Sequence, residues 1–284
     1  MTGCLLFVVV FMFPYITVFS KEIGMYGLVS VLGLFIACFV GYRLAKKKKI
    51  EVDDFILAVL VAIVSGFIFA HLLFGLTNIS AIIELSQKIM QLGFFEYIKG
   101  FLICFSGMVF FGGLFGAILG IIIFTKYYKP LFGKREIILD IFAVVFPLFH
   151  VFGRIGCFLG GCCYGVESEF GFIVYDNTIN PSINGVRRFP VQLTESFFCL
   201  ILFFVLLYLY KKGKFKNNLL FVYLISYCVI RFIDEFFRGD EIRGIYFSLS
   251  TSQWISLLII VISVIILMYK KSRDKKRKTG RESE

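Results

Sequence analysis

The feature that most constrains this chain is its set of long runs without a charged residue. Seven of them occupy 23–42, 55–83, 100–125, 141–153, 196–210, 217–230 and 244–269. A helix that crosses a bilayer needs about 20 mainly apolar residues, because its backbone N–H and C=O groups must satisfy one another in hydrocarbon. Four runs meet that length. Those at 141–153, 196–210 and 217–230 reach it only by recruiting Arg154, Glu195 and the set Arg231, Asp234 and Glu235. Ionisable groups at membrane depth are costly and seldom face lipid, so these residues point to a functional interior.

Composition excludes the other classes. The chain is 59% hydrophobic and 17% charged, against about 25% charged in soluble domains, which rules out an ordinary soluble enzyme and a disordered chain. Its net charge of +11 would suggest nucleic acid in a soluble protein, but in an apolar chain it reports topology, and no nucleic-acid partner is expected. Of the 30 Lys and Arg, 21 lie in 43–49, 126–135, 211–216 and 270–281. Seven fall on the alternate side (Lys21, Lys88, Lys99, Arg187, Arg188, Arg238, Arg243), and Arg154 and Arg231 lie within spans. The positive-inside rule places the 21 in the cytoplasm, together with the C-terminus.

The expected fold is therefore an all-α polytopic membrane protein, a single membrane domain over 1–284 with about seven transmembrane helices. A small extracytoplasmic head at 161–190 is inserted between spans, and a basic cytoplasmic tail at 270–284 rests on anionic headgroups. In the head, Phe170–Tyr175 reads as a strand and Asn184-Gly185 as a hairpin signal. Residues 77–96 read as an amphipathic interfacial segment with Leu85, Ile89 and Leu92 on one stripe. Residues 2–20 are uncharged but contain Pro14, and are expected as an outer-surface or re-entrant segment rather than an eighth span. With no basic n-region before them, a secretory signal is not expected.

The densest constellation of reactive side chains runs from His150 through Gly153, Arg154, Gly156, Cys157, Cys162 and Cys163 to Gly165. On a helix His150, Arg154 and Cys157 share one face, and the glycines allow close approach of backbone or ligand. An arginine at headgroup level suits a lipid phosphate, because its planar fork binds two oxygens. The plainer reading is a snorkelling arginine beside a packing seam. In Arg231-Phe-Ile-Asp234-Glu235-Phe-Phe-Arg238, helical spacing puts four charges on one face, either as an ion-pair ladder (Arg231 to Glu235, Asp234 to Arg238) or lining a polar cavity. In Pro190-Val-Gln192-Leu-Thr-Glu195, Pro190 opens a helix and Glu195 can orient an arginine or act as an acid–base group.

Other features carry less. Gly112, Gly116 and Gly120, with Gly113 beside them, form a small-residue packing seam rather than a phosphate loop. Tyr26-Gly27 opens the first span, and His71, alone in an apolar run, reads as structural. Of eight cysteines, Cys4, Cys38, Cys104, Cys199 and Cys228 sit in apolar runs as small hydrophobes. Cys157, Cys162 and Cys163 are the exposed set, open to a tight turn, a redox disulfide or, with His150, zinc. C-x4-C-C is not a standard zinc spacing, so neither a metal nor a cofactor is expected.

In order along the chain, Tyr26-Gly27, Gly112-Gly113-Leu114-Phe115-Gly116, Gly153-Arg154-Ile155-Gly156 to Gly165, Pro190 to Glu195, Arg231 to Arg238 and Ser252-Gln253 resemble the prolipoprotein diacylglyceryl transferases. The resemblance implies seven spans with a small outer head in the bacterial plasma membrane. It implies transfer of diacylglyceryl from phosphatidylglycerol to the lipobox cysteine of a prolipoprotein signal peptide, releasing glycerol phosphate. By position, Tyr26, Arg154, Gly165, Arg231, Glu235 and Arg238 match residues that the family uses around lipid and catalysis. Three positions depart: Phe111 stands where the family has His, Cys157 where it has Asn, and Cys162 where it has Glu. The base is then expected at His150, one turn from Arg154. The predicted catalytic set is His150, Arg154, Arg231, Glu235 and Tyr26; the predicted substrate contacts are Arg154, Arg238, Gly153, Gly156, Cys157, Cys162, Gly165, Gln192 and Glu195. Two alternatives stay open: a thiol- or metal-dependent membrane enzyme using Cys157, Cys162 and Cys163, and a non-enzymatic lipid-binding protein or transporter. Transport is disfavoured by the lack of an internal repeat.

Overall fold

The structure, a computed structural model, describes residues 9–11, 14–18, 20–88, 93–175, 177, 181–240 and 244–282. Its helices are α1 Met25–Lys47, α2 Val52–Thr77, α3 Ile79–Gln87, α4 Phe94–Cys104, α5 Phe110–Tyr127, α6 Arg135–Gly160, α7 Val191–Lys211, α8 Leu219–Asp234 and α9 Thr251–Glu282. Its strands are β1 Val9–Phe11, β2 Tyr15–Val18, β3 Lys21–Gly24, β4 Glu167–Tyr175, β5 Arg187–Arg188, β6 Ile245–Tyr246 and β7 Leu249–Ser250. Among the described residues six helices, α1, α2, α5, α6, α7 and the first 23 residues of α9, are long and apolar enough to cross a membrane. α8 has 16 residues and ends at Asp234, within its charged set. The chain forms two compact units, 42–139 and the remainder.

In the unit 42–139 the glycine seam packs α5 on α2. A Cβ at Gly112 would lie 2.6 Å from the Phe69 carbonyl oxygen, and one at Gly116 would lie 2.6 Å from that of Ser65. Backbone therefore meets backbone, as small-residue seams allow. The uncharged run 100–125 is not one helix. α4 ends at Cys104 and α5 begins only at Phe110. The break is stabilised by polar bonds to α2: Val109 N–H donates to the Ala70 carbonyl at 3.2 Å, and His71 Nδ1 donates to the Phe105 carbonyl at 2.7 Å. His71 thus has a structural role, satisfying a carbonyl that the helix end leaves without an intrahelical partner. The segment expected to lie in the interface forms two short helices, α3 and α4, with no buried residue and with Phe94 and Phe95 exposed. Leu85 packs on Gly100 of α4; Ile89 and Leu92 lie outside the described residues.

In the other unit, one end of the bundle is fixed by Asp140. Its carboxylate accepts from the backbone N–H groups of Asn217 (2.6 Å) and Leu219 (2.9 Å) at the start of α8. Lys270 of α9 donates to the Asn217 carbonyl and to Asn218 Oδ1 at that same end, both at 3.2 Å. Phe152 of α6 fits against Gly33 of α1, and α8 packs against both α7 and α9.

The opposite end carries the head. β4 pairs antiparallel with β5, with a register shift between Glu167 and Phe172, and parallel with β1. The Phe170–Tyr175 expectation thus extends back to Glu167. Asn184-Gly185 is not a two-residue hairpin turn, because β4 and β5 are joined by the longer stretch 176–186, which includes a 3-10 turn at Pro181–Ile183. Buried Ile183 packs under Phe158 and Tyr164, and Gly185 closes the stretch at φ 75°. Among the described N-terminal residues, 9–11 are strand and 15–18 with 21–24 are a β-hairpin, Ile16 and Ile23 exposed. The described part is strand and hairpin rather than helix; residues 2–8, 12, 13 and 19 lie outside the described residues. α9 continues to Glu282, and the side chains of the basic tail from 274 onward are not among those described.

Candidate active site

The site lies within the unit formed by 1–41 and 140–284, at the end where α6 and α8 finish and α1, α7 and α9 begin. His150 and Arg154 come from the last three turns of α6, Glu195 from the start of α7, and Tyr227 and Arg231 from the second half of α8.

Glu195 is the hub. One turn into α7 and 1% exposed, it receives the Arg154 guanidinium on Oε2. Arg231 Nη1 approaches the same oxygen at 3.7 Å. On Oε1 it meets His150 Nε2 at 3.1 Å and accepts from the Tyr227 hydroxyl at 3.3 Å. Three helices are thereby joined by one carboxylate, which satisfies the requirement that a buried charge be paired. Arg231 also pairs with Glu235 at 2.6 Å and donates to Ser252 Oγ of α9 at 3.4 Å. Two buried donors, Arg154 Nε and Arg231 Nη1, find no hydrogen-bond acceptor among the described residues. Buried N–H groups are rarely left so, and these are suited to an anionic group entering from outside the chain.

The second part of the site is a backbone clamp. Segment 164–166 lies between the start of α7 and the end of α8: Phe189 N–H donates to the Val166 carbonyl, Val166 N–H to that of Phe237, and Gly239 N–H to that of Tyr164, each at 2.9 Å. Gly165 bridges Arg238 in this ladder. A Cβ there would run into the Phe189 carbonyl oxygen and lie 3.0 Å from that of Phe237, so the position admits only glycine. Arg188 covers the segment, its guanidinium 4.7 Å from the Tyr164 ring centre and its Nη1 donating to the Gly165 carbonyl at 3.3 Å. Gln192 Nε2 donates to the Cys162 carbonyl at 2.8 Å.

The third part is a thiol cluster. α6 ends in a Schellman turn in which Gly161 takes φ 69° and Cys162 N–H returns to the Cys157 carbonyl at 3.1 Å. Cys163 then takes φ 55°, and the sulfurs of Cys157, Cys162 and Cys163 lie within 4.8 Å of one another. The thiols are unequal. Hydrogen bonds from Cys157 and Cys162 pull the Cys163 thiol well below its ordinary range, with Arg238 and Arg154 adding to the effect. Bonds with Cys157 and with Cys163, together with burial, push Cys162 up. Beside Cys162, Tyr26, Gly27 and Gly160 line an apolar groove of about 550 Å³.

Most of the residues predicted from sequence come together here, with two differences. Arg238 does not share a helical face with Arg231, Asp234 and Glu235. The α-helix ends at Asp234 and gives way to a 3-10 turn over Glu235–Phe237, so Arg238 is extended and pairs with Asp240 instead of Asp234. Gly153 is not a point of close approach, since a Cβ there would meet nothing within 4 Å; Gly156 is, with Tyr26 backbone 3.2 Å from its notional Cβ. Phe111 is a buried core residue of the unit 42–139. Sequence reasoning passed over Tyr227 and Asp240. Tyr227 was within reach, because it precedes Arg231 by one helical turn on the same face; Asp240 had no such signal, because its pairing depends on where the helix stops.

Fold and site together define a multi-pass membrane protein that buries arginines and carboxylates at one end of its bundle. Residues 14–269 match the prolipoprotein diacylglyceryl transferase family, and the chain belongs to that family. It is similar to the phosphatidylglycerol–prolipoprotein diacylglyceryl transferase of Clostridium tetani (strain Massachusetts / E88), 31% identical over 253 residues that cover 87% of this chain and 93% of the relative. To the transferase 2 of that name from Clostridium perfringens (strain 13 / Type A) it is 29% identical over 264 residues, covering 91% and 95%. A Campylobacter jejuni relative of the same name is 27% identical over 258 residues, covering 88% and 90%. The chain is thus a membrane transferase.

Proposed function

We propose that this site transfers the diacylglyceryl group of phosphatidylglycerol to the lipobox cysteine of a prolipoprotein signal peptide, releasing glycerol phosphate. The observation that carries the reading is the pair of buried arginine donors, Arg154 Nε and Arg231 Nη1, without a protein acceptor among the described residues, in the unit that also holds an apolar groove. A phospholipid offers those two chemistries together: an anionic phosphate for the arginines and acyl chains for apolar walls.

In this reading the sulfur of the acceptor attacks the glyceryl carbon next to phosphate. The C–S bond forms as the C–O bond breaks, and the electron pair leaves with the phosphate. The arginines stabilise that departing charge in a water-poor site, where fixed cations are worth most. Glu195 orients Arg154 and His150, and His150 takes the thiol proton. Glu235 holds Arg231, while Arg238, tied to the backbone clamp through Gly165 and paired with Asp240, is the second phosphate contact in this reading. Tyr26 and Cys162 border the acyl groove. Gln192 and Gly156 set the backbone on either side.

The basic residues support the orientation. Asn217, Leu219 and Lys270 meet at the end of this unit remote from Glu195, flanked by Lys211, Lys212, Lys214 and Lys216. With that end cytoplasmic, the C-terminus is cytoplasmic and the site opens at the outer leaflet. The test is to incubate the purified chain with phosphatidylglycerol and a lipobox peptide. A peptide mass increased by one diacylglyceryl group, with glycerol phosphate released, is expected; its absence with folded protein overturns the reading.

A further inference from the structure

We propose that Cys157, Cys162 and Cys163 form a three-thiolate site for a thiophilic divalent cation, Zn²⁺ first among them, with an open fourth position that receives the acceptor thiol. The inference rests on the reading of the acceptor as a cysteine.

The three sulfurs converge within 4.8 Å of one another, near the separation of about 3.8 Å expected for thiolates sharing a tetrahedral zinc. The convergence is built into the backbone. Adjacent side chains normally diverge, yet Cys162 and Cys163 both meet Cys157, because the Schellman turn is followed by a second left-handed residue, Cys163 at φ 55°. Cys199 and Cys228, by contrast, are single and fully buried, as small hydrophobes are.

The cluster is also open on one side. Cys162 borders the groove next to Tyr26 and Gly160, and His150 is turned to Glu195. Three protein ligands and an exchangeable position are the pattern of a catalytic zinc rather than of a closed structural one. Arg154 precedes Cys157 by three residues on α6, and Gly165, two residues past Cys163, bridges Arg238, so two cations flank the cluster and offset the negative charge that several thiolates bring to one metal.

The step balances without a redox change. The acceptor S–H gives its proton to His150 as sulfur binds the metal, and a coordinated thiol is held as thiolate. That sulfur attacks the glyceryl carbon, the C–O bond breaks, and its electron pair departs on phosphate. The neutral thioether is a weak ligand and leaves, restoring the open position.

The test uses the full chain in detergent, stripped by a chelator and titrated with Zn²⁺ and, separately, with Co²⁺ as a visible probe. One metal ion per chain is expected, lost in Cys162→Ser, in Cys163→Ser and in the triple serine variant but kept in Cys104→Ser. A cysteine-containing lipobox peptide should raise the Co²⁺–thiolate charge-transfer band by about a third, as a fourth sulfur joins three, whereas its serine analogue should not. The variants are compared at equal thermal midpoints, so that unfolding is not mistaken for loss of a ligand. Folded protein that takes up no metal, metal retained by the triple variant, a disulfide among the three cysteines that persists after reduction and purification, or a peptide that leaves the band unchanged would each overturn the proposal. Metal binding and peptide coordination without lipid transfer would instead count against the transferase reading and leave this one standing.

Discussion

Replacing Glu195 by glutamine removes one charge at the point where Arg154, Arg231 and His150 meet. The carboxylate is 1% exposed, so neither water nor salt can take its place. Breaking a buried ion pair by removing one partner costs about 3–5 kcal/mol, because the other charge stays buried without compensation. Two features place this variant at the low end. Arg231 keeps Glu235 at 2.6 Å, and the amide carbonyl of the substituted side chain still accepts one bond from Arg154. A loss of about 3 kcal/mol corresponds to about a hundredfold in an equilibrium or a rate. Glu195→Gln should therefore lower kcat/KM for lipid transfer by about 10²-fold, and lower the thermal midpoint in detergent. Glu195→Asp keeps the charge but withdraws it by one methylene, and should fall between wild type and the glutamine variant. Wild-type activity and midpoint in Glu195→Gln would refute the assignment of this carboxylate as the hub, and an aspartate variant weaker than the glutamine one would show that reach outweighs charge.

Gly165→Ala should lower the yield of folded protein, because its Cβ meets the Phe189 carbonyl and overpacking against backbone costs about 1–3 kcal/mol; Gly153→Ala, whose Cβ meets nothing within 4 Å, should leave that yield unchanged. His71→Leu strands the Phe105 carbonyl that His71 satisfies at 2.7 Å, a loss of about 1–3 kcal/mol that faster hydrogen exchange confined to 105–110 would report. Tyr128 donates to Asp54 at 2.9 Å, and that bond, with the charge of the carboxylate, raises its pKa above the ordinary tyrosine value. Its contribution is complete below the ordinary value near 10 and is lost as pH rises through the higher folded value. Ultraviolet titration of the wild type against Tyr128→Phe should place the midpoint above about 10, and Asp54→Asn should bring it down; an unmoved midpoint would contradict the assignment.

Membrane class and the approximate number of spans were legible in the uncharged runs, because hydrocarbon tolerates so few alternatives to an apolar helix. The short runs also drew attention to residues that meet in space, since Arg154, Glu195 and Arg231 sit where a span falls short and pair with one another. The run 100–125 misled for a related reason. Hydropathy counts charges, and the break between α4 and α5 has none; it depends on His71 and the Ala70 carbonyl, both supplied by another helix. Arg238 misled because helical spacing was carried one turn past the place where α8 ends.

By itself, the sequence determined what a bilayer enforces: a polytopic helical chain, the side on which its basic residues gather, and the few ionisable groups that must find partners inside. Only the tertiary structure decided which partners those are. Glu195 joins α6, α7 and α8 through one carboxylate, Arg238 turns to Asp240, and three thiols spread over seven residues come to one point. Those pairings depend on where helices stop and on left-handed residues such as Gly161 and Cys163. Periodicity carries no information past a helix end, because there the backbone, not the repeat, sets where the next side chain points.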